Sequence, residues 1–208
     1  VNRQLSIHHY CDLLIRPNKI GYEKLLHTLY EYDYKYIGIL YNELPRAIIK
    51  AIEEFAEDRG LIIIRRIHIN KSNVNDFQRY LSKYKKKRHI FSIDMDIAET
   101  AKKYLKHISI ITFQTTASFK TLKLLGKNGV SLEVQYNLLK KYLHKSGDEF
   151  ARIIRALKIA DSHKSLVISS GAESDKDIFP PKQLAYTILG LIDASSYYDY
   201  YIKFRWEK

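Results

Sequence analysis

The chain has 208 residues, 46% of them hydrophobic and 28% charged, which suits one globular domain with a full core and excludes a disordered chain. Its net charge of +12 favours polyanionic partners through phosphate contacts and counterion release. No apolar run approaches the roughly 20 residues of a membrane-spanning helix, and the single cysteine, Cys11, excludes an internal disulfide framework and a cysteine-built zinc site.

At the N-terminus, Asn2, Arg3, Gln4, His8 and His9 interrupt any apolar stretch, so there is no signal-peptide pattern and a cytoplasmic protein is expected. Tyr10 to Ile15 reads as an apolar strand ending at Arg16-Pro17. A helix is predicted from about Ile20 to Tyr32, with Leu25, Leu26 and Leu29 on one face, then a strand from Tyr36 to Leu40. Asn42 offers a cap and Pro45 a first-turn residue for a helix that Gly60 stops. Its inward stripe is Ile48, Ile52, Phe55 and Ala56. Leu61 to Ile69 is strand-like, Val74 to Tyr84 helical and Ile90 to Ile93 a short strand, with a helix near Ile97 to Tyr104. Ile108 to Phe113 and Ser131 to Tyr136 are further strands. Ser146 and Glu149 form a capping box before a helix carrying Phe150, Ile153, Ile154 and Leu157 on one stripe. Leu166 to Ile168 is the last strand. It runs into a turn of small residues, Ser169, Ser170, Gly171 and Ala172, and a final helix runs from beyond Pro180-Pro181 to Gly190.

About seven strands alternating with helices imply an α/β protein, a parallel sheet covered by helices. The near-continuous apolar strands agree, because both faces of such a sheet are buried. A TIM-barrel-like (β/α) barrel fits this length if helices and loops are short, and an open doubly wound sheet is the alternative. No linker or repeat divides the chain, so residues 1–208 read as a single barrel domain.

Lys83 to Arg88 reads KYKKKR, the densest basic run. Lys85, Lys86, Lys87 and Arg88 can contact RNA phosphates with Tyr84 stacking on a base, or they form a solvated helix end that suits the macrodipole. Arg16, Lys19, Arg65, Arg66, Lys71, Lys120, Lys123 and Lys127 lie near predicted strand or helix ends and matter as a set. His8 and His9 with Asp12 invite a metal reading, but adjacent histidines on a strand face opposite sides, and the remaining histidines show no ligand spacing. Asp94 and Asp96 follow a strand, where two carboxylates can bind Mg²⁺. Such residues more often cap the next helix, and Asp96 near Ile97 suits that role. Ser169-Ser170-Gly171 lacks the nucleophile-elbow pattern, and no Gly-rich phosphate loop occurs. The small residues there would let another backbone or a phosphate approach closely. The aromatic C-terminus, with Tyr197, Tyr201 and Phe204 on one stripe, reads first as a helix docked on its own domain.

Three blocks carry a resemblance: VISSGA at Val167 to Ala172 with its continuation through Pro181 and Gly190-Leu191, GVSLEVQYNLLK at Gly129 to Lys140, and the two strands between Ile90 and Phe113. In this order and spacing the chain resembles the archaeal and eukaryotic ribonuclease P protein component 3 family, the 30-kDa subunit of a tRNA-processing ribonucleoprotein. The resemblance implies a barrel related to the polymerase and histidinol phosphatase fold without its metals. It further implies a non-catalytic subunit of the endoribonuclease holoenzyme, supporting the catalytic RNA in removing the 5′ leader from precursor tRNA. Its partners would be ribonuclease P RNA, protein component 2 in a 2:2 heterotetramer, the other protein subunits and, indirectly, precursor tRNA, with no membrane. No cofactor would be bound by this chain; Mg²⁺ would serve the RNA. Arg16, Lys71, Lys85 to Arg88, Lys120, Lys123 and Lys182 are the RNA-contact candidates, and Ser169 to Ala172 the family-marker turn. Where the family often shows Arg-Ser-Pro-Arg, this chain has Phe179, Pro180, Pro181 and Lys182, which keeps a charge only at the last position. The rival readings are a metal-dependent phosphoesterase of the same superfamily and a protein-interaction module with incidental charge.

Overall fold

Seven strands pair in parallel and in sequence order: β1 (Tyr10–Ile15), β2 (Tyr34–Leu40), β3 (Ile62–Ile69), β4 (Ile90–Asp94), β5 (Ile110–Thr112), β6 (Ser131–Gln135) and β7 (Leu166–Ser169). The computed structural model describes residues 10–16, 21–84, 89–116, 118–125, 130–142, 147–163 and 165–192. His8, His9, Lys19, residues 85–88, Lys127, Ser146 and residues 193–208 therefore lie outside the described residues.

Every connection steps one strand further in the same direction, so the twisted sheet curls toward closure. A doubly wound sheet would reverse its strand order partway; this one does not. β7 returns to β1 through a narrow seam. The Gly171 N–H donates to the Leu14 carbonyl at 3.0 Å, and the Arg16 N–H to the Ala172 carbonyl at 2.7 Å. Ile15 and Ala172 form a single parallel bridge there. The result is a nearly closed, TIM-barrel-like ring.

Helices α1 (Tyr22–Glu31), α2 (Arg46–Asp58), α3 (Phe77–Tyr84), α4 (Tyr136–Tyr142), α5 (Gly147–Ser162) and α6 (Pro181–Gly190) follow the strands. They bury stripes at three- and four-residue spacing: Leu25, Leu26 and Leu29 on α1, and Ile153, Ala156, Leu157 and Ala160 on α5. On α2 the fully buried residues are Ile49, Ile52 and Ala56, while Ile48 and Phe55 are only partly covered, a rotation of the stripe by one residue. Among the described residues no helix is long and apolar enough to cross a membrane.

Three local expectations differ. Asn42 does not cap α2; its amide takes the backbone N–H of His68 at 2.9 Å and donates to the His68 carbonyl at 2.8 Å, tying the loop after β2 to the end of β3. The helix expected near Ile97 to Tyr104 is two short 3₁₀ segments, Met95–Ile97 and Lys102–His107. Tyr136 begins α4 rather than ending β6.

Candidate functional site

Residues two apart on a strand share a face, and the inward faces of this barrel form layers. The first layer is apolar: Ile64, Ile90, Ile110 and Val167, with Tyr36 against them. Two residues further along the same strands stand Arg66, Ser92, Thr112 and Ser169, all buried. Two further again come His68 and Asp94. Glu133 on β6 completes the polar layer at 0% exposure, facing Arg66 at 1%.

These polar groups are matched to one another. The Arg66 guanidinium meets the Glu133 carboxylate end-on, Nη1 to Oε1 at 2.6 Å and Nη2 to Oε2 at 2.7 Å. Its Nε donates to Ser92 Oγ at 2.6 Å and its Nη2 also to Thr112 Oγ1 at 2.8 Å. Thr112 passes its own proton to Glu133 Oε2 at 3.0 Å. Burial pushes the Glu133 carboxyl up, but the Arg66 charge and the hydrogen bonds from Arg66 and Thr112 outweigh it and hold the group below its ordinary value.

Ser92, His68 and Asp94 line up as hydroxyl, imidazole and carboxylate: His68 Nδ1 lies 3.0 Å from Ser92 Oγ and Nε2 lies 3.1 Å from Asp94 Oδ1. This is not a nucleophile triad. Ser92 is fully buried, and its oxygen already accepts from a guanidinium, which withdraws the electron density a nucleophile needs.

Asp12 on β1 is the remaining interior carboxylate, at 0% exposure. Its Oδ1 accepts the backbone N–H groups of Ser170 at 3.1 Å and Leu14 at 3.2 Å, so it stitches the β1–β7 seam. Oδ2 has no hydrogen-bond partner. Burial raises the carboxyl to about 6, against those hydrogen bonds, with the Glu133 charge adding to the rise.

The small-residue turn proves to be part of the same seam. Ser169, Ser170, Gly171 and Ala172 are all buried. The Asn137 amide donates to the Gly171 carbonyl at 2.8 Å, and the Asn137 N–H to the Ser170 carbonyl at 3.1 Å. Gly171 has φ +63°, and a Cβ there would sit 2.9 Å from Gln135 Oε1. At Gly171 a side chain is excluded by the left-handed backbone and by the Gln135 side chain from β6.

Two of the expected roles change. Neither Asp94 nor Asp96 caps a helix: Asp94 faces His68, and Asp96 pairs with Lys71 at 2.8 Å. Arg66 is not a surface cation near a strand end but the buried hub of the interior. Among the described residues no three His, Cys, Asp or Glu side chains come together as a metal site. Of the RNA-contact candidates, Arg16, Lys71, Lys120 and Lys182 are exposed; Arg16 and Lys71 come just after the C-terminal ends of β1 and β3, and Lys120 and Lys182 lie further along the segments that follow β5 and β7. The Lys123 side chain and residues 85–88 lie outside the description. Phe179, at the departing position, packs its ring on Tyr136 at 4.7 Å, and its carbonyl accepts from the Tyr34 hydroxyl at 3.0 Å. The sequence signal for the interior layer was present in the alternation Ile64-Arg66-His68 and Ile90-Ser92-Asp94, where polar residues recur at period two inside apolar strands.

Compared with known proteins, residues 9–194 match the family described as RNase P subunit p30. Among solved structures, the fold is similar to a chain of the cryo-EM structure of archaeal Ribonuclease P with mature tRNA, with a TM-score of 0.66 and 21% identity over 86% of this chain and 82% of that chain. It is more distantly similar to the crystal structure of A. niger ochratoxinase, with a TM-score of 0.48 and 7% identity over 79% of this chain and 42% of that one. No curated protein matches the chain by sequence.

Proposed function

The chain belongs to the RNase P subunit p30 family of ribonuclease P protein subunits, and from that premise we propose that it works as an RNA scaffold, supporting the catalytic RNA in removing the 5′ leader from precursor tRNA. The observation that carries this reading is the interior of the barrel. Its buried Arg66, Ser92, Thr112, His68 and Glu133 are joined to each other, so the place where a barrel enzyme keeps its reacting groups is closed by an ion pair. What remains for function is the surface, and the surface of a +12 chain attracts phosphate. Exposed Arg16, Lys71, Lys120 and Lys182 are the described candidates for that contact.

In this reading the catalytic Mg²⁺ belongs to the RNA and the chain binds no cofactor of its own. Protein component 2 joins it as a 2:2 heterotetramer, the other protein subunits complete the particle, precursor tRNA is met through the RNA, and the assembly is cytoplasmic. The likeness in fold to a chain of an archaeal ribonuclease P structure supports the assignment. The test is reconstitution of precursor-tRNA cleavage with the RNA and component 2, with and without this chain. The expected result is a higher cleavage rate or a lower Mg²⁺ requirement when it is added. Cleavage unchanged at every Mg²⁺ concentration would sink the proposal.

A further inference from the structure

Positive charge on this surface is compensated unevenly. At the rim, Lys24 meets Asp175 at 2.9 Å, Lys71 meets Asp96 at 2.8 Å and Lys140 meets Asp177 at 3.4 Å. Other exposed cations, Arg16, Lys120 and Lys182 among them, have no such partner among the described acids, and one flank gathers several of this kind in a groove. There α3 and the 3₁₀ segment Lys102–His107 enclose a groove of about 340 Å³, at the small end of the roughly 300–1,000 Å³ typical of ligand pockets. Gln78, Ser82, Lys103, Tyr104, Lys106 and His107 line it, over a floor of Leu81, and no carboxylate does. Lys103 and Lys106 are exposed, and neither pairs with a described acid; the same holds for Lys83 and Lys102 beside them. Lys103 Nζ lies 4.9 Å from the centre of the Tyr104 ring, and that ring is braced from within by Phe77 at 4.5 Å.

A concave site that gathers like charges without a counter-charge is repulsive when empty and focuses its field on an approaching anion. We propose that the α3–Lys102 groove is a phosphodiester-binding site that seats one nucleotide unit of an RNA strand. Lys103 and Lys106 hold the phosphate, Gln78 supplies a neutral hydrogen-bonding group, and the half-buried Tyr104 ring forms the wall against the base or ribose. The site rests on the reading that the chain works on RNA, and it lies on the barrel flank, apart from the rim residues named above.

The test is the salt dependence of binding between the full chain and ribonuclease P RNA, read by fluorescence anisotropy. Replacing both groove lysines, Lys103→Gln with Lys106→Gln, is expected to lower the log–log salt slope by about 0.7 to 0.9, the share of the one phosphate they hold. The rim variant Lys24→Gln with Lys140→Gln removes lysines already matched by carboxylates and is expected to lower it by less than half as much. Both pairs are exposed, so folding is checked by circular dichroism. A groove variant that keeps the wild-type slope overturns the site, and so does a rim variant that loses as much as the groove variant. Wild-type chain with no affinity for the RNA instead overturns the functional reading on which the site rests.

Discussion

Replacing Glu133 by Gln would take from the Arg66 guanidinium, buried at the centre of the barrel, the carboxylate it pairs with. In the native chain the pair shares two hydrogen bonds of 2.6 and 2.7 Å at 1% and 0% side-chain exposure, so solvent screening is negligible. Each charge-assisted bond is worth about 1.5–3 kcal/mol, and breaking a buried pair from one side destabilises by about 3–5 kcal/mol. For a chain of this size that is a fall in Tm of roughly 6–20 °C. Urea unfolding of Glu133→Gln, Arg66→Met and the double variant gives the coupling directly. The double variant is expected to lose much less than the sum of the singles, with a coupling of about 2 kcal/mol or more. Acid supplies an independent check. The folded-state value of Glu133 lies below its ordinary 4.5, so its contribution is complete above that value and is lost as pH falls through the lower folded one. Glu133→Gln should lack that loss. A cost below about 1 kcal/mol for Glu133→Gln, or singles that simply add, would refute the account of a sealed, self-paired interior.

Asp12 has the opposite sign. Its folded value is raised from 3.8 to about 6, so the folded chain binds the proton more tightly and stability falls as pH rises between those values. At about 1.4 kcal/mol per unit, the ionised carboxylate costs on the order of 3 kcal/mol at neutral pH. Asp12→Asn, which keeps an oxygen for the Ser170 and Leu14 N–H groups, should stabilise the chain at pH 7 and flatten its urea midpoint between pH 4 and 6; an unchanged midpoint at pH 7 contradicts this. Gly171→Ala and Gly60→Ala separate conformation from crowding. Both glycines have φ near the left-handed region, +63° and +64°, where an added Cβ costs about 1–2 kcal/mol. Only at Gly171 does the Cβ also meet side-chain atoms at 2.9 and 3.2 Å, so Gly171→Ala should be the more destabilising in urea unfolding, and equal losses would mean that the seam gives way freely.

The strand positions were readable because their residues obey local rules. Runs such as Ile37 to Leu40 and Ile110 to Ile111 are too apolar to face water on either side, and the helices between them show their stripes at the expected spacing. Elements whose form depends on neighbours were read less well. Asn42 has every property of a helix cap, and only the approach of β3 offers it a better pair of backbone partners. Asp96 likewise caps nothing, because Lys71 from the preceding loop reaches it first. Phe179, where the family often has an arginine, packs its ring on Tyr136, a contact that only the fold supplies.

The composition and period of this chain by themselves determined about seven strands alternating with helices and a cationic chain; the resemblance supplied the family marker at Ser169 to Ala172, and the strand order decided for a barrel over a doubly wound sheet. Composition and period reach that far because burial on both faces, helical amphipathicity and net charge are properties of short segments or of simple sums. Which charges are spent inside was decided by tertiary structure alone. Arg66 and Glu133 are 67 residues apart, and nothing in either local sequence says that they meet. Only the curling of the sheet brings β3 and β6 to face each other across one interior, and the low dielectric there turns two residues distant in sequence into the pair that holds it closed.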